Sequence, residues 1–121
     1  MQEVSEAVQQ FLNYIDQCRS NYQTAREAVK HEDRRLQDLL HEMEFSEGEN
    51  GKRRAATRLK NSRRERRRQK DEVMRLELIV QFFEEPQNRK VLNNLRQLLG
   101  RQRKQEEFLS GKRQYKPRVK E

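Results

Sequence analysis

Eleven of the nineteen residues from Lys52 to Lys70 are Lys or Arg, and one, Glu65, is acidic. This segment carries a net charge of +10, whereas the whole chain carries +8, so the remaining residues sum to −2. Side chains of like charge at this density destabilise an isolated helix. The segment therefore predicts an anionic counterpart, which could be phosphates, another protein or an acidic stretch of this chain.

Nucleic-acid phosphates are the first candidate counterpart. Several of the basic residues can point outward along about 18 Å of helix, a spacing that can follow a phosphate backbone and release its counterions. The stretch TRLKNSRRERRRQK resembles the arginine-rich peptides of viral export and antitermination factors, which enter grooves of folded RNA. The nucleic-acid-binding residues that we predict are Arg53, Arg54, Arg58, Lys60, Arg63, Arg64, Arg67, Arg68 and Lys70.

The second candidate counterpart is the chain itself. Residues Glu27 to Glu49 contain eight acids and three bases, a net charge of −5. If this stretch lies beside the basic segment, ion pairs within the chain could neutralise about half of the positive charge, each exposed pair contributing only about 0.2–1 kcal/mol.

Residue types that support catalysis or metal binding are sparse. His31 and His41 stand ten residues apart with no third ligand at a metal-binding spacing, so solvated histidines are expected. Cys18 falls on an apolar helix face, where a buried inert thiol is expected. We predict no catalytic residues, no metal and no cofactor.

The composition favours helices that bury a narrow stripe. In 121 residues, 31% are hydrophobic and 40% are charged, too little apolar material for a thick core. No apolar run approaches the roughly 18 residues of a membrane span, and the N-terminus lacks a signal-peptide pattern. With one cysteine in addition, we expect a cytoplasmic protein that does not bind membranes.

Three helices are predicted over residues 3–45, 52–84 and 87–109. In the first, eleven residues follow one another in alternating steps of three and four: Val8, Phe11, Ile15, Cys18, Tyr22, Ala25, Val29, Glu32, Leu36, Leu39 and Met43. The second has Ala55, Leu59, Ser62, Arg66, Gln69, Val73, Leu76, Val80 and Phe83 at the same spacing, and the third has Val91, Leu92, Leu95, Leu98 and Leu99. The residues SEGENG, at 46–51, predict a turn, and Pro86 ends the second helix.

These elements predict an all-α fold, a long antiparallel helical hairpin of coiled-coil type with a shorter third helix near its open end. A fold about Gly48 and Glu49 brings together residues whose numbers sum to about 98. Glu32 then faces Arg66, which predicts a partly buried ion pair. Residues 1–109 form the single domain, and residues 110–121 form a basic, mobile tail.

The order of segments resembles a group of small helical proteins encoded by phages and prophages of Gram-positive bacteria. The resemblance covers FLNYIDQC, LQDLLHEME, RLKNSRRERRRQKDEV, LELIVQFFEE, LNNLRQLLG and QYKPRV. It implies an accessory phage role, but no particular mechanism.

We predict a non-enzymatic protein that binds DNA or RNA through its second helix. The alternative is a coiled-coil adaptor, or an inhibitor of a host defence or nucleic-acid-handling complex, which would bind an acidic or nucleic-acid-binding protein surface. An elongated hairpin with aromatic residues at Phe11, Tyr14, Phe82 and Phe83 could also leave apolar surface through which two copies of the chain form a homodimer.

The tail gives the first prediction. From Arg101 to Glu121 the chain has eight bases and three acids, and Pro117 disfavours helix there. Deleting residues 110–121 should weaken binding to an anionic partner while leaving the thermal unfolding temperature nearly unchanged. A large loss of thermal stability would instead mean that Tyr115 and Val119 dock on the helices.

Overall fold

The computed structural model describes residues 2–111, 117 and 119, and it confirms the all-α fold class. The helices are α1 (Val4–Phe45), α2 (Gly48–Glu84) and α3 (Pro86–Ser110), and no strand occurs among the described residues. The predicted first and last residues of the helices lie within one residue of these bounds, except for the start of α2. The predicted tail, apart from residues 110, 111, 117 and 119, lies outside the described residues.

The turn between α1 and α2 is shorter than the six residues predicted. It comprises Ser46 and Glu47, and α2 begins at Gly48, four residues earlier than expected. Gly48 has a φ of 76°, a left-handed conformation that glycine adopts without steric cost. The Ser46 hydroxyl donates a hydrogen bond of 2.6 Å to the carbonyl oxygen of Glu42, which satisfies one acceptor at the end of α1. One left-handed residue is thus enough to reverse the chain.

Residues 16–82 form one of two compact units, which we call the hairpin unit. In it, α2 packs antiparallel against α1, and a buried cluster joins Cys18 and Tyr22 of α1 with Leu76 and Val80 of α2. Both 18 with 80 and 22 with 76 sum to 98, so the cluster has the predicted register. The buried stripe of α2 continues through Ala55 and Ser62, because small side chains let the two helices approach closely.

The polar layer of this stripe differs from the prediction. The Glu32 side chain is buried, with the residue only 5% exposed, but it accepts a hydrogen bond of 2.5 Å from the Ser62 hydroxyl and not from Arg66. Arg66 instead pairs with the neighbouring acid, Asp33, at 2.5 Å. The long arginine side chain can carry its charge to the solvated edge of the helix pair, whereas the shorter carboxylate stays inside. The predicted Glu32–Arg66 ion pair is therefore wrong.

Residues 2–15 and 83–111 belong to the other unit, which we call the terminal unit. Its core contains Leu12, Ile15, Leu92 and Leu99, so α3 packs against the first turns of α1. Leu12, 3% exposed, takes the buried position that was predicted for Phe11, which is 42% exposed. The Phe11 ring instead meets the edge of the Phe83 ring, at 6.4 Å between centroids.

A carboxylate from α3 caps the start of α1 in the terminal unit. Glu106 accepts hydrogen bonds from the backbone N–H of Ser5, at 3.0 Å, and from the Ser5 hydroxyl. Gln102 donates a third, at 2.9 Å. These bonds, the Ser5 hydroxyl first, hold the pKa of Glu106 below its ordinary value of 4.5. Negative charge is favourable at a helix N-terminus, so this contact ties α3 to α1.

The Glu32–Ser62 contact predicts opposite results for a single and a double substitution. Ser62→Ala should cost about 1–3 kcal/mol, because it leaves a buried carboxylate without its donor. Glu32→Leu combined with Ser62→Ala should be as stable as the wild type or more so, since a well-packed apolar layer needs no desolvated charge. Urea unfolding would measure both, with Ser20→Ala on the exposed face of α1 as the control. A double variant less stable than Ser62→Ala would contradict this account.

The Glu106 contact predicts a pH-dependent stability. A lowered pKa in the folded state adds stability above the unfolded-state pKa, and this stability is lost as the pH falls through the folded-state pKa. Glu106→Gln should therefore lower the melting temperature at pH 7 and have little effect at pH 2. The control is Glu107→Gln, which removes an exposed neighbouring carboxylate. Equal effects of the two substitutions at pH 7 would show that the cap does not stabilise the unit.

Candidate nucleic-acid interface

All nine predicted basic residues lie on α2 of the hairpin unit, and all are exposed. The helix is continuous through them, because no proline interrupts residues 48–84 and the buried stripe holds one side of α2 against α1. Every base off the stripe is thereby directed to a flank or to the outer face. The structure divides the nine residues into three groups with different surroundings.

The first group has acidic partners. Arg58 reaches across to Glu42 of α1, at 2.7 Å, and Arg68 pairs with Glu65 one turn earlier on α2, also at 2.7 Å. Hydrogen bonds from Gln69 and then from Arg68 lower the pKa of Glu65, so this carboxylate remains charged at neutral pH. We call Arg58 and Arg68 the paired flank, and their charges are largely compensated by these local partners.

The second group lies close to the turn. Arg53 and Arg54 line a depression of about 490 Å³ together with Glu42, Ser46 and other residues. Glu42, the acid that pairs with Arg58, borders this depression as well. The depression is therefore lined by both positive and negative side chains.

The third group has no ion pair among the described residues, and we call it the open flank. Its residues follow one another at the spacing of one helix side, on the other side of the buried stripe from the paired flank. They are Lys60, Arg63, Arg64, Arg67 and Lys70.

Two surface depressions follow the open flank. One has a volume of about 450 Å³. Its basic lining residues are Lys60, Arg63, Arg64 and Arg67, and its apolar lining residues are Ala56 and Leu59. The other, of about 390 Å³, lies between α1 and α2 and shares Arg63 and Arg67 with the first. Asp33 and Arg66, which pair with each other, also line this second depression. Exposed guanidinium and ammonium groups beside a concave surface can bind the oxygens of phosphates or carboxylates.

The sequence alone did not reveal that the two flanks differ. The three-residue step from Glu65 to Arg68 was a usable signal for one pair, since such neighbours meet on a helix. The pairs of Arg58 with Glu42 and of Arg66 with Asp33 needed the register of the hairpin at single-residue accuracy.

The other residues considered for chemistry are placed as follows. Cys18 is buried in the core of the hairpin unit, and the His41 ring packs on Phe45 at 4.6 Å between centroids. In residues 2–111, 117 and 119, no three His, Cys, Asp or Glu side chains come together in a way that could hold a metal ion. No helix of the described chain is both long and apolar enough to cross a membrane.

Comparisons of the chain with protein-family models, with curated proteins and with solved structures gave no match. The geometry of the two flanks is therefore what supports a function.

Proposed function

We propose that this protein is a non-enzymatic nucleic-acid-binding protein, and that the open flank of α2 contacts the sugar–phosphate backbone. The observation that carries this proposal is the open flank itself, five exposed bases for which the described residues provide no ion pair. From Lys60 to Lys70 they span about 15 Å of helix. Neighbours three or four residues apart stand about 5–6 Å from each other, less than the screening length of about 8 Å at physiological salt. Their mutual repulsion disfavours the helix, and an anionic ligand would relieve it.

Neutralisation within the chain accounts for only part of the positive charge. Within the described residues, two arginines of α2 pair with acids of α1, Arg58 with Glu42 and Arg66 with Asp33. Glu65 is held by Arg68 and Gln69, on the paired flank. The acids of residues 27–49 therefore leave the open flank uncompensated, which favours an external partner.

The mode of binding that these side chains support is electrostatic. Contacts to phosphates fix the position of a protein on a nucleic acid but carry no direct sequence information. Each phosphate neutralised on duplex DNA contributes about 0.9 to the slope of log affinity against log salt. We therefore expect an affinity that falls steeply with salt and varies little with sequence.

A second candidate function is protein binding, as a coiled-coil adaptor or as an inhibitor of a host complex. It is favoured by Met74 and Leu78, which lie one turn apart on α2 and are 67% and 82% exposed. Either function would fit an accessory protein of a phage. Capture of partners from a host lysate treated with nuclease separates the two, since a directly bound protein is retained and a nucleic-acid-bridged one is lost.

The open and paired flanks give a matched test of the proposed function. Arg63→Gln with Arg67→Gln and Arg58→Gln with Arg68→Gln remove two charges each from the same helix. The first pair should lower the salt slope by about 1.8 and weaken binding more than tenfold at 0.1 M salt, because two phosphate contacts are lost. The second pair should change the slope by less than about 0.5, because its charges are already compensated.

Electrophoretic shift assays at low salt with duplex DNA, single strands and structured RNA would make the measurement, with circular dichroism to confirm that each variant is helical. Equal losses in the two double variants would show that net charge, not the open flank, determines binding. If the wild-type protein shifts none of the three nucleic acids, the proposed function is wrong.

A further inference from the structure

A third depression continues the basic surface onto α1. It has a volume of about 350 Å³ and lies between Arg26, Val29 and Lys30 of α1 and Lys70, Val73 and Met74 of α2. It shares Lys70 with the depression between the two helices, which in turn shares Arg63 and Arg67 with the depression on the open flank. The three depressions thus form one continuous track within the hairpin unit.

The two bases of α1 on this track are available to a ligand. Both are exposed, and neither has an ion pair among the described residues. The guanidinium of Arg26 lies over the Tyr22 ring, 5.5 Å from its centroid, which holds the side chain at the surface without neutralising it. Three acids line the track. Glu32 is hydrogen-bonded to Ser62, and Asp33 is paired with Arg66. The third, Glu77, lies at the far end of the track. The predicted binding residues did not include Arg26 and Lys30.

We infer that Arg26 and Lys30 complete a two-helix binding face, and that its ligand is double-stranded nucleic acid held by the phosphates of both strands. This inference rests on the proposed function and specifies the ligand of the same site. We call Arg26, Lys30 and the open flank together the composite face.

The dimensions of the composite face fit the outside of a duplex. Along α2 the bases of this face span about 15 Å, from Lys60 to Lys70, and Arg26 and Lys30 of α1 border the depression that Lys70 also lines. Two packed helices, with axes about 8–10 Å apart, present a surface roughly 20 Å wide. The major groove of B-form DNA is only about 12 Å wide and admits one helix. The composite face would therefore lie across the backbones and contact phosphates on both sides of a groove.

The residue types of the track favour a duplex over a single strand. Proteins that bind single strands without sequence preference combine basic grooves with aromatic side chains on which bases stack. No aromatic residue of the described part of the chain lines the three depressions, and Tyr22 beside them is buried under Arg26. The face therefore offers charge for phosphates but no surface for unpaired bases. Because duplex DNA and duplex RNA share the phosphate chemistry, both belong in the test.

The experiment measures fluorescence anisotropy with four labelled probes, a DNA duplex and an RNA duplex of about two turns and a single strand of each, over a range of salt concentrations. The proteins are the wild type and the double variants Arg26→Gln with Lys30→Gln, Arg63→Gln with Arg67→Gln, and Arg58→Gln with Arg68→Gln. We expect the wild type to bind a duplex at least tenfold more tightly than the corresponding single strand. The α1 variant should lower the slope on duplex DNA by about 1.8, as the Arg63 and Arg67 variant does.

Lys30→Gln alone guards against a folding defect, because Lys30 is exposed and has no ion pair or side-chain hydrogen bond among the described residues. It should lower the slope by about 0.9. Unchanged binding by both α1 variants, together with weaker binding by the Arg63 and Arg67 variant, would overturn the composite face and leave the proposed function standing. Single strands bound as tightly as duplexes would overturn the choice of ligand. No binding of any probe by the wild type would refute the proposed function itself.

Discussion

The antiparallel contact of α1 with α2 along one narrow stripe is the constraint on which the hairpin unit depends. Ala55, Ser62, Leu76 and Val80 are buried on α2, and the last two join Cys18 and Tyr22 of α1 in the apolar cluster. A slip by one residue would rotate bases into the stripe, where burying unpaired charge is costly. The charged residues of α2 are thus kept on its flanks, because the buried stripe cannot accommodate their unpaired charges.

The buried carboxylate of Glu32 shows how strict this constraint is. Glu32 occupies a position in the stripe, and the residue opposite is not its predicted ion-pair partner but a serine small enough to fit between two helices. Two arginines lie nearby. Arg35 has a guanidinium nitrogen 3.8 Å from a carboxylate oxygen of Glu32, and Arg66 pairs with Asp33. Both keep their guanidinium groups at the edge of the stripe. A hydroxyl satisfies the carboxylate without bringing a second charge inside, so the layer remains narrow.

Electrostatic asymmetry follows from the same packing. The acids of α1 are placed by the helix period. Glu42 meets Arg58 and Asp33 meets Arg66, whereas Glu32 meets the hydroxyl of Ser62. The bases of the open flank face outward, and the nearest residues of α1 on that side include two further bases, Arg26 and Lys30. The two bases of the paired flank are therefore compensated, whereas the five bases of the open flank have no ion pair among the described residues. This difference, and not the net charge of the chain, is the basis on which a binding face is proposed for the basic segment.

Sequence alone determined the elements and their pairing. Steps of three and four, Pro86 and the glycines near residue 50 fix three helices, and matching two stripes about a short turn gives the register to within a few residues. It also located the basic segment as the candidate site. Tertiary structure alone decided which of Phe11 and Leu12 is buried, which acid meets Arg66, and that Glu106 caps the distant Ser5. These outcomes depend on side-chain reach and on rotations smaller than the spacing of one residue, and the periodicity of a sequence does not contain that information.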